Sequence, residues 1–410
     1  MSQRSRFSLL WAALGVVIVV GVVITLAVRP AVAAHPPTSF SIAADPDHCG
    51  AGWGAGSGTD APAATTAPAR VDGGVQTFTV TNGTVAGMEV YLQSVDSKKV
   101  YLDLEGIGAG AHVTARVALG SGRYRFVCLP ADVDPVTGPP VSVGAAPPSV
   151  ALTPGMVPVT RNDLIPVAKT YGTWVSSRIP VLRKQVQSLS DDVAEGDSAG
   201  AKTAWLAAHL TYETLGAAYG AFGDLDTAIN GPPAPGSTAL NDPELTGFHR
   251  VEALLWSGAP ATSIQPAVAA LATAVAALGA AFSDAEVDPG DIGLRAHEIV
   301  ENAIQFELQG TTDAGSGTNI ATIGANLQGA SAALEPLEGI LATRYPQLDA
   351  TKAGIARSQA LVQSLRRADG SWPRVASLTL AQRERLDASL SETAELLAPV
   401  AAICDIRREP

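Results

Sequence analysis

The stretch "GFHRVEALLW", residues 247–256, sets a histidine and a glutamate three residues apart in an otherwise apolar helical segment. Leu245, His249, Glu252 and Trp256 follow the i, i+4, i+7, i+11 spacing of one helix face, so the polar pair interrupts an apolar stripe. A carboxylate in a low-dielectric interior protonates or finds a cation, and an imidazole one turn away makes the pair half of a metal site. A His–Glu hydrogen-bonded pair or a surface pair satisfies the same spacing. Glu213 repeats the pattern on the face of Leu206, Leu210 and Ala217, and Glu301 does so on the face of Leu294, Ile304 and Leu308. Ile292, Ile299 and Phe306 give that last helix an opposite apolar face as well. Carboxylates and a histidine directed inward from separate helices are the way bundle-core metal sites are built. His209 and His297, each four residues before one of these glutamates, read as surface partners.

Other chemistries find little support. The nearest approach to HExxH is "HEIVE" at 297–301, which lacks the second histidine. There is no GxSxG, no CxxC and no phosphate loop, since "GAGWGAGSG" near residue 50 lacks the Lys-Ser/Thr ending. With 39 acidic against 27 basic residues and a net charge of −12, the chain is a poor nucleic-acid binder, and cationic partners suit it better.

Placing these residues requires helices, and the chain supplies them after other elements. Of its 410 residues 47% are hydrophobic and 16% charged, enough to bury a large core in two or three domains. Residues 1–34 contain the uncharged run 7–28, long enough to cross a bilayer, behind Arg4 and Arg6. We read it as a membrane anchor that sends the rest of the chain to the extracytoplasmic side; a signal peptide cleaved near "AVAA" at 31–34 is the alternative.

Residues 35–145 read as a small β-sandwich. Phe78 and Val80; Met88, Val90 and Leu92; Val100, Leu102 and Leu104; Val113 to Leu119; and Tyr124, Phe126 and Cys128 alternate at period two, with turn residues between them. Residues 50–74 read as a loop or linker. Cys49 and Cys128 flank the β segment, and an oxidising exterior makes a disulfide between them one pairing the sequence allows; Cys404 lies far away. A Pro/Gly-rich linker at 146–159 follows, and residues 160–410 read as all-α, with helices at roughly 161–194, 198–222, 242–257, 263–282, 290–308, 318–343, 349–367 and 379–402. Eight helices suggest a double bundle, with Pro166 and Pro180 kinking the first helix.

The ordered segments "AKTAWLAAHLTYETLGAAYGAFGDLDTAI" at 201–229, "GFHRVEALLW", "ENAIQFELQG" and "NIATIGANLQGASAALEPL" resemble the imelysin-like family, and within it the EfeO-type components of bacterial iron-uptake systems. The β segment resembles the cupredoxin-like domain that some of these proteins carry. The resemblance implies an extracytoplasmic helical protein that binds iron, as Fe(II) or Fe(III), for a membrane permease, in a system that can include a haem peroxidase. It implies His249 and Glu252 as metal ligands, then Glu213, then Glu301, with Asp224 and Asp226 as weaker candidates. Zinc suits the same donors.

Two departures stand out. "GSGTNIATI" at 315–323 lacks the His and Asp of the "YSHTDLWDF"-like stretch found in many EfeO-type proteins. "CLPADVDPVTG" after Cys128 lacks the His and Met of a blue-copper site, which favours a disulfide there. A metallopeptidase, as suggested for some imelysin relatives, and a non-catalytic envelope binding protein are the competing readings.

Overall fold

A computed structural model describes residues 38–54, 69–131, 133–234, 236–282 and 286–408. The expected membrane anchor at 7–28 and its alternative cleavage site lie outside the described residues. The chain forms two compact units that divide between Pro154 and Gly155.

The first unit is built from strands β1 (Thr38–Ala44), β2 (Cys49–Ala51), β3 (Arg70–Val71), β4 (Gly74–Asn82), β5 (Met88–Ser94), β6 (Val100–Ile107), β7 (His112–Leu119), β8 (Gly122–Pro130), β9 (Val136–Thr137) and β10 (Val141–Val143). They form two sheets, ordered β2-β1-β4-β7 and β3-β10-β8-β5-β6, with β9 on the side of β8. Period-two alternation explains the layering: β4 buries Phe78 and Val80 from one sheet, and β5 and β8 bury Val90, Leu92 and Phe126 from the other, in one shared core. Trp53 stands edge-on to both Phe78 and Phe126. A disulfide joins Cys49 of the first sheet to Cys128 of the second. The five strands expected from alternation are present. β1 was not anticipated, and the stretch read as loop between 50 and 74 contains β3 and part of β2. Strands of two or three residues are too short to show a period.

The second unit is helical: α1 (Arg161–Glu195), α2 (Ser198–Glu213), α3 (Tyr219–Phe222), α4 (Asp224–Asn230), α5 (Gly247–Ser257), α6 (Ala261–Ala281), α7 (Asp291–Asn302), α8 (Asn319–Leu334), α9 (Glu338–Leu341), α10 (Leu348–Ser364) and α11 (Leu380–Cys404). Local chemistry sets the ends. Thr160 and Asp163 form a capping box at the start of α1, Gly196 closes that helix in the left-handed region, and Thr379 with Gln382 caps α11. α1 is one helix with Pro166 and Pro180 in its interior. Its buried face (Leu164, Tyr171, Val175, Ile179, Leu182 and Val186) holds it against α2 and α6.

α1 packs on α2 and α6, and α5 packs on the same two helices, while α7, α8, α10 and α11 form a second group, and α8 also packs on α2. A single continuous core runs through both groups. α6 is long and apolar enough to cross a membrane by length and composition, yet here it packs against α1, α4 and α5.

Three expected helices are shorter than their sequence pattern, and each break lies beside the site. The 198–222 segment leaves the α-helix after Glu213, passes through a 3-10 turn at Gly216–Ala218, and stops at Gly223 with φ +57°. The 242–257 segment begins only at Gly247, because Asp242 turns its side chain onto the N–H groups of Ala234 and Glu244 and holds a loop. The 290–308 segment becomes a π-turn over Ala303–Glu307, closed by Leu308 N–H on the Ala303 carbonyl at 2.9 Å.

Candidate metal centre

The HxxE helix starts where only glycine fits. Gly247 has φ +74°, and a Cβ there would lie 2.2 Å from the Ile229 carbonyl oxygen. The Trp205 indole N–H donates to the Phe248 carbonyl at 3.0 Å, fastening α2 to the first turn of α5. His209 stacks on Trp205 at 4.8 Å between ring centroids and lies 6.1 Å from the His249 ring.

Three carboxylates converge around these imidazoles. Glu213, at the end of α2, accepts from Asn230 Nδ2 at 2.7 Å and from Asn326 Nδ2 at 2.9 Å, and its Oε1 is 3.1 Å from His209 Nε2. Glu252, on α5, is 2% exposed; its Oε1 accepts from the backbone N–H of Ala314 at 3.2 Å and of Ser316 at 2.9 Å, and its Oε2 lies 3.6 Å from His249 Nδ1. Glu307, in the π-turn, accepts from Thr312 Oγ1 and Asn319 Nδ2, both at 2.7 Å.

Burial pushes the Glu213 carboxyl up, but His209, Asn326 and Asn230 outweigh it and hold the pKa below the ordinary value. Glu252 is likewise held down against burial, by His249 and Ser316. Glu307 goes the other way: burial and the charge of Glu213 favour its protonated form. Burial opposes charging of His209, and the neighbouring Glu213 overrides it, so that pKa is raised. The His209–Glu213 contact is close without hydrogen-bond alignment, and neither His209 nitrogen has a hydrogen-bond partner.

Glu213, Tyr219, Asp226, His249, Glu298 and Glu307 face a cleft of ≈ 570 Å³. A second cleft of ≈ 790 Å³ reaches His249 from another side, past Leu240, Ala253, Phe306, Thr312 and Asp313. Among the described residues no Lys or Arg pairs with Glu213, Glu252 or Glu307. Carboxylates and imidazoles are donors that suit iron or zinc, and buried carboxylates without a cation are costly. The donor types and the unsatisfied His209 nitrogens suit a metal ion, while among the described residues no three residues of this cluster bring ligand atoms within 4.8 Å of one another.

The structure brings His249, Glu252 and Glu213 together and leaves Glu301 apart. Glu301 is 44% exposed in its side chain, faces His297 at 3.4 Å and does not line the cleft. The buried face of α7 is Ile292, Ala296, Ile299 and Val300, continuing to Ala303, not the Leu294–Ile304 face, and Leu294 is exposed. The extra residue of the π-turn then shifts the register, so that Glu307 is the acid that reaches the cleft. His209, read as a surface partner, is buried in the cluster. Asp226 lines the cleft and accepts from the Tyr212 hydroxyl, whereas Asp224 is exposed.

The sequence reading missed Glu307 and the amides of Asn230, Asn319 and Asn326. Glu307 stands inside "ENAIQFELQG", and the spacing of buried Trp205 to His209, one turn apart, was a signal for the histidine. Of the HExxH-like "HEIVE", His297 Nδ1 contacts the Ala394 carbonyl and Glu298 accepts from Arg295. In the first unit, Glu89, Asp103 and Glu105 bring ligand oxygens within 4.8 Å of one another on β5 and β6. They sit on an outward face that alternation alone does not distinguish from a solvated one.

Within the helical unit, residues 167–286 match the family model described as imelysin (Peptidase_M75). Curated proteins similar to it include the iron uptake system component EfeO of Escherichia coli strain K12 and of Shigella flexneri, each 24% identical over 234 residues, which cover 57% of this chain. The matched region spans 62% of the length of those relatives.

Proposed function

We propose that this chain is an extracytoplasmic iron-binding component of a bacterial iron-uptake system, which holds one iron ion, Fe(II) or Fe(III), in the helical unit and presents it to a membrane permease. Glu213, His249 and Glu307 hold the ion from the wall of the cleft, with His209 beside them. The observation that carries this reading is the proximity of two buried carboxylates, Glu213 and Glu252, and the partly buried Glu307 to two buried imidazoles, with no Lys or Arg partner among the described residues. The similar proteins are iron uptake system components, which supports iron over zinc as cargo. Anchoring by residues 7–28 and a haem peroxidase of the same system belong to this proposal.

Metal analysis and titration calorimetry on the full chain test it, beside His249→Ala and Glu213→Gln. We expect one iron per chain and weakened binding in both variants; affinity that neither substitution changes sinks the assignment.

The family description also names a peptidase, which gives a second reading: a metal-activated water cleaving peptide bonds. Incubation of the iron- or zinc-loaded chain with unfolded protein decides between them. Cleavage that vanishes in His249→Ala makes the metal a catalyst rather than cargo.

A further inference from the structure

Within the proposed metal centre, the two residues of the HxxE motif stand in different places. His249 forms part of the wall of both clefts, whereas Glu252 lines neither. Glu252 Oε1 is already engaged by two backbone N–H groups, those of Ala314 and Ser316, which occupy its two lone-pair directions. Its other oxygen faces His249 Nδ1 at 3.6 Å, on the same helix and away from the remaining ring nitrogen.

The loop that supplies those N–H groups is itself built to present them. Asp313 Oδ1 accepts from Gly315 and Gly317 N–H at 2.9 and 2.8 Å, and Arg374 donates to the Gly315 carbonyl at 2.6 Å and to Asp313 Oδ2 at 3.2 Å. Gly315 and Gly317 have φ +142° and +69°, conformations that leave little choice of residue.

We propose that Glu252 is a positioning residue and not a metal ligand: it orients His249 so that Nε2 meets the ion, and it clamps the 314–316 loop behind the imidazole. This rests on the reading of the cleft as a metal site. A carboxylate behind a ligating histidine fixes the tautomer, because Nδ1–H donates to it and the Nε2 lone pair is left for the metal. Glutamine at 252 presents either an N–H group to Nδ1, which favours the tautomer with hydrogen on Nε2 and no lone pair for the ion, or an oxygen that is a weaker acceptor than a carboxylate.

The test uses the full chain loaded with Fe(II) under anaerobic conditions. X-ray absorption at the iron edge counts coordinating atoms, and competition with a chelator gives the dissociation constant. For Glu252→Gln we expect one iron per chain and an unchanged number of coordinating atoms, with affinity weakened roughly 10- to 100-fold. Glu213→Gln, in contrast, changes the coordination shell. The wild-type chain gives a check that does not depend on the variant folding: with Zn(II) bound and its histidines labelled with ¹⁵N, His249 should carry hydrogen on Nδ1 and metal on Nε2. Loss of a coordinating oxygen in Glu252→Gln, or metal on Nδ1 in the wild type, overturns the role of Glu252 alone. A wild-type chain that binds neither metal overturns the metal centre and this role with it.

Discussion

His209 Nε2 lies 3.1 Å from Glu213 Oε1, one helical turn apart and with both side chains buried, where the last turn of α2 meets α5 and α8. An imidazole and a carboxylate held this way inside a core have their charges set by each other, and the partners of Glu213 on α4 and α8 link them to the rest of the cleft.

Glu213→Gln tests how far the cluster depends on that carboxylate. The amide is nearly isosteric, so the fold should survive, but its nitrogen cannot accept from either Asn230 or Asn326. Iron affinity should fall by roughly 100-fold or more, above the range for residues that only support a ligand. Calorimetric titration checks this, and affinity within a few-fold of wild type removes Glu213 from the ligand set.

Glu301 and Glu307 make a paired comparison. Glu307→Gln should weaken iron binding strongly, and Glu301→Gln should leave it within about twofold, since a half-exposed residue paired with His297 lies off the cleft. The opposite order would show that the π-turn does not decide which acid faces the ion.

Gly247→Ala should damage the site from outside it. A β-carbon there meets the Ile229 carbonyl at 2.2 Å in a backbone conformation that side chains rarely adopt. Destabilisation of at least about 2 kcal/mol is expected from strain of this kind. Because the helix that carries His249 must shift to relieve it, iron affinity should drop as well; chemical denaturation together with titration reads both effects.

The stability of the metal-free protein should depend on pH through the coupled pair. Glu213 has a folded-state pKa below its ordinary 4.5, so its contribution is complete above 4.5 and is lost as pH falls through the lower folded value. His209 has a folded-state pKa above its ordinary 6.5, so its contribution is complete below 6.5 and is lost as pH rises through the higher folded value. The part of the melting profile due to this pair is therefore a plateau between 4.5 and 6.5 that falls on both sides. Thermal melts of wild type and Glu213→Gln across pH 3 to 9 isolate it; identical slopes in the two proteins would contradict the coupling.

In the β unit, the Cys49–Cys128 bridge closes a segment with a sequence separation of 79 residues and joins the two sheets. Replacing both cysteines with serine should lower the stability of the sandwich by about 4 kcal/mol, on the chain-entropy account of such loops. Calorimetry on the full chain measures it. A melting profile unchanged from wild type would mean that the core around Trp53, Phe78 and Phe126 holds the sheets together alone.

Much of this architecture is legible in the chain. Alternation of residue types located β4 to β8, and β4 buries every second residue as the pleat requires, whereas β5 and β8 are buried on both faces along much of their length. Helical spacing placed Glu213, His249 and Glu252 on buried faces for the equivalent reason. It misplaced Glu301, because a 3.6-residue period carried forward from Leu294 takes no account of which apolar face the neighbouring helices cover. Pro166 and Pro180 mark no helix end, since α1 continues through both.

By itself the sequence determined much of which residues leave water, through local periodicity and composition, though not for His209 or Leu294. It placed an acid and a histidine on α5 and an acid on α2, and it marked the strands of the sandwich. Only the tertiary structure decided which of these groups meet. Glu307 joins the cleft through a change of helical register, and His209 enters it by stacking on Trp205. Glu252 is turned towards a loop more than sixty residues further along the chain, and a separation of that size leaves no periodic trace between the two segments.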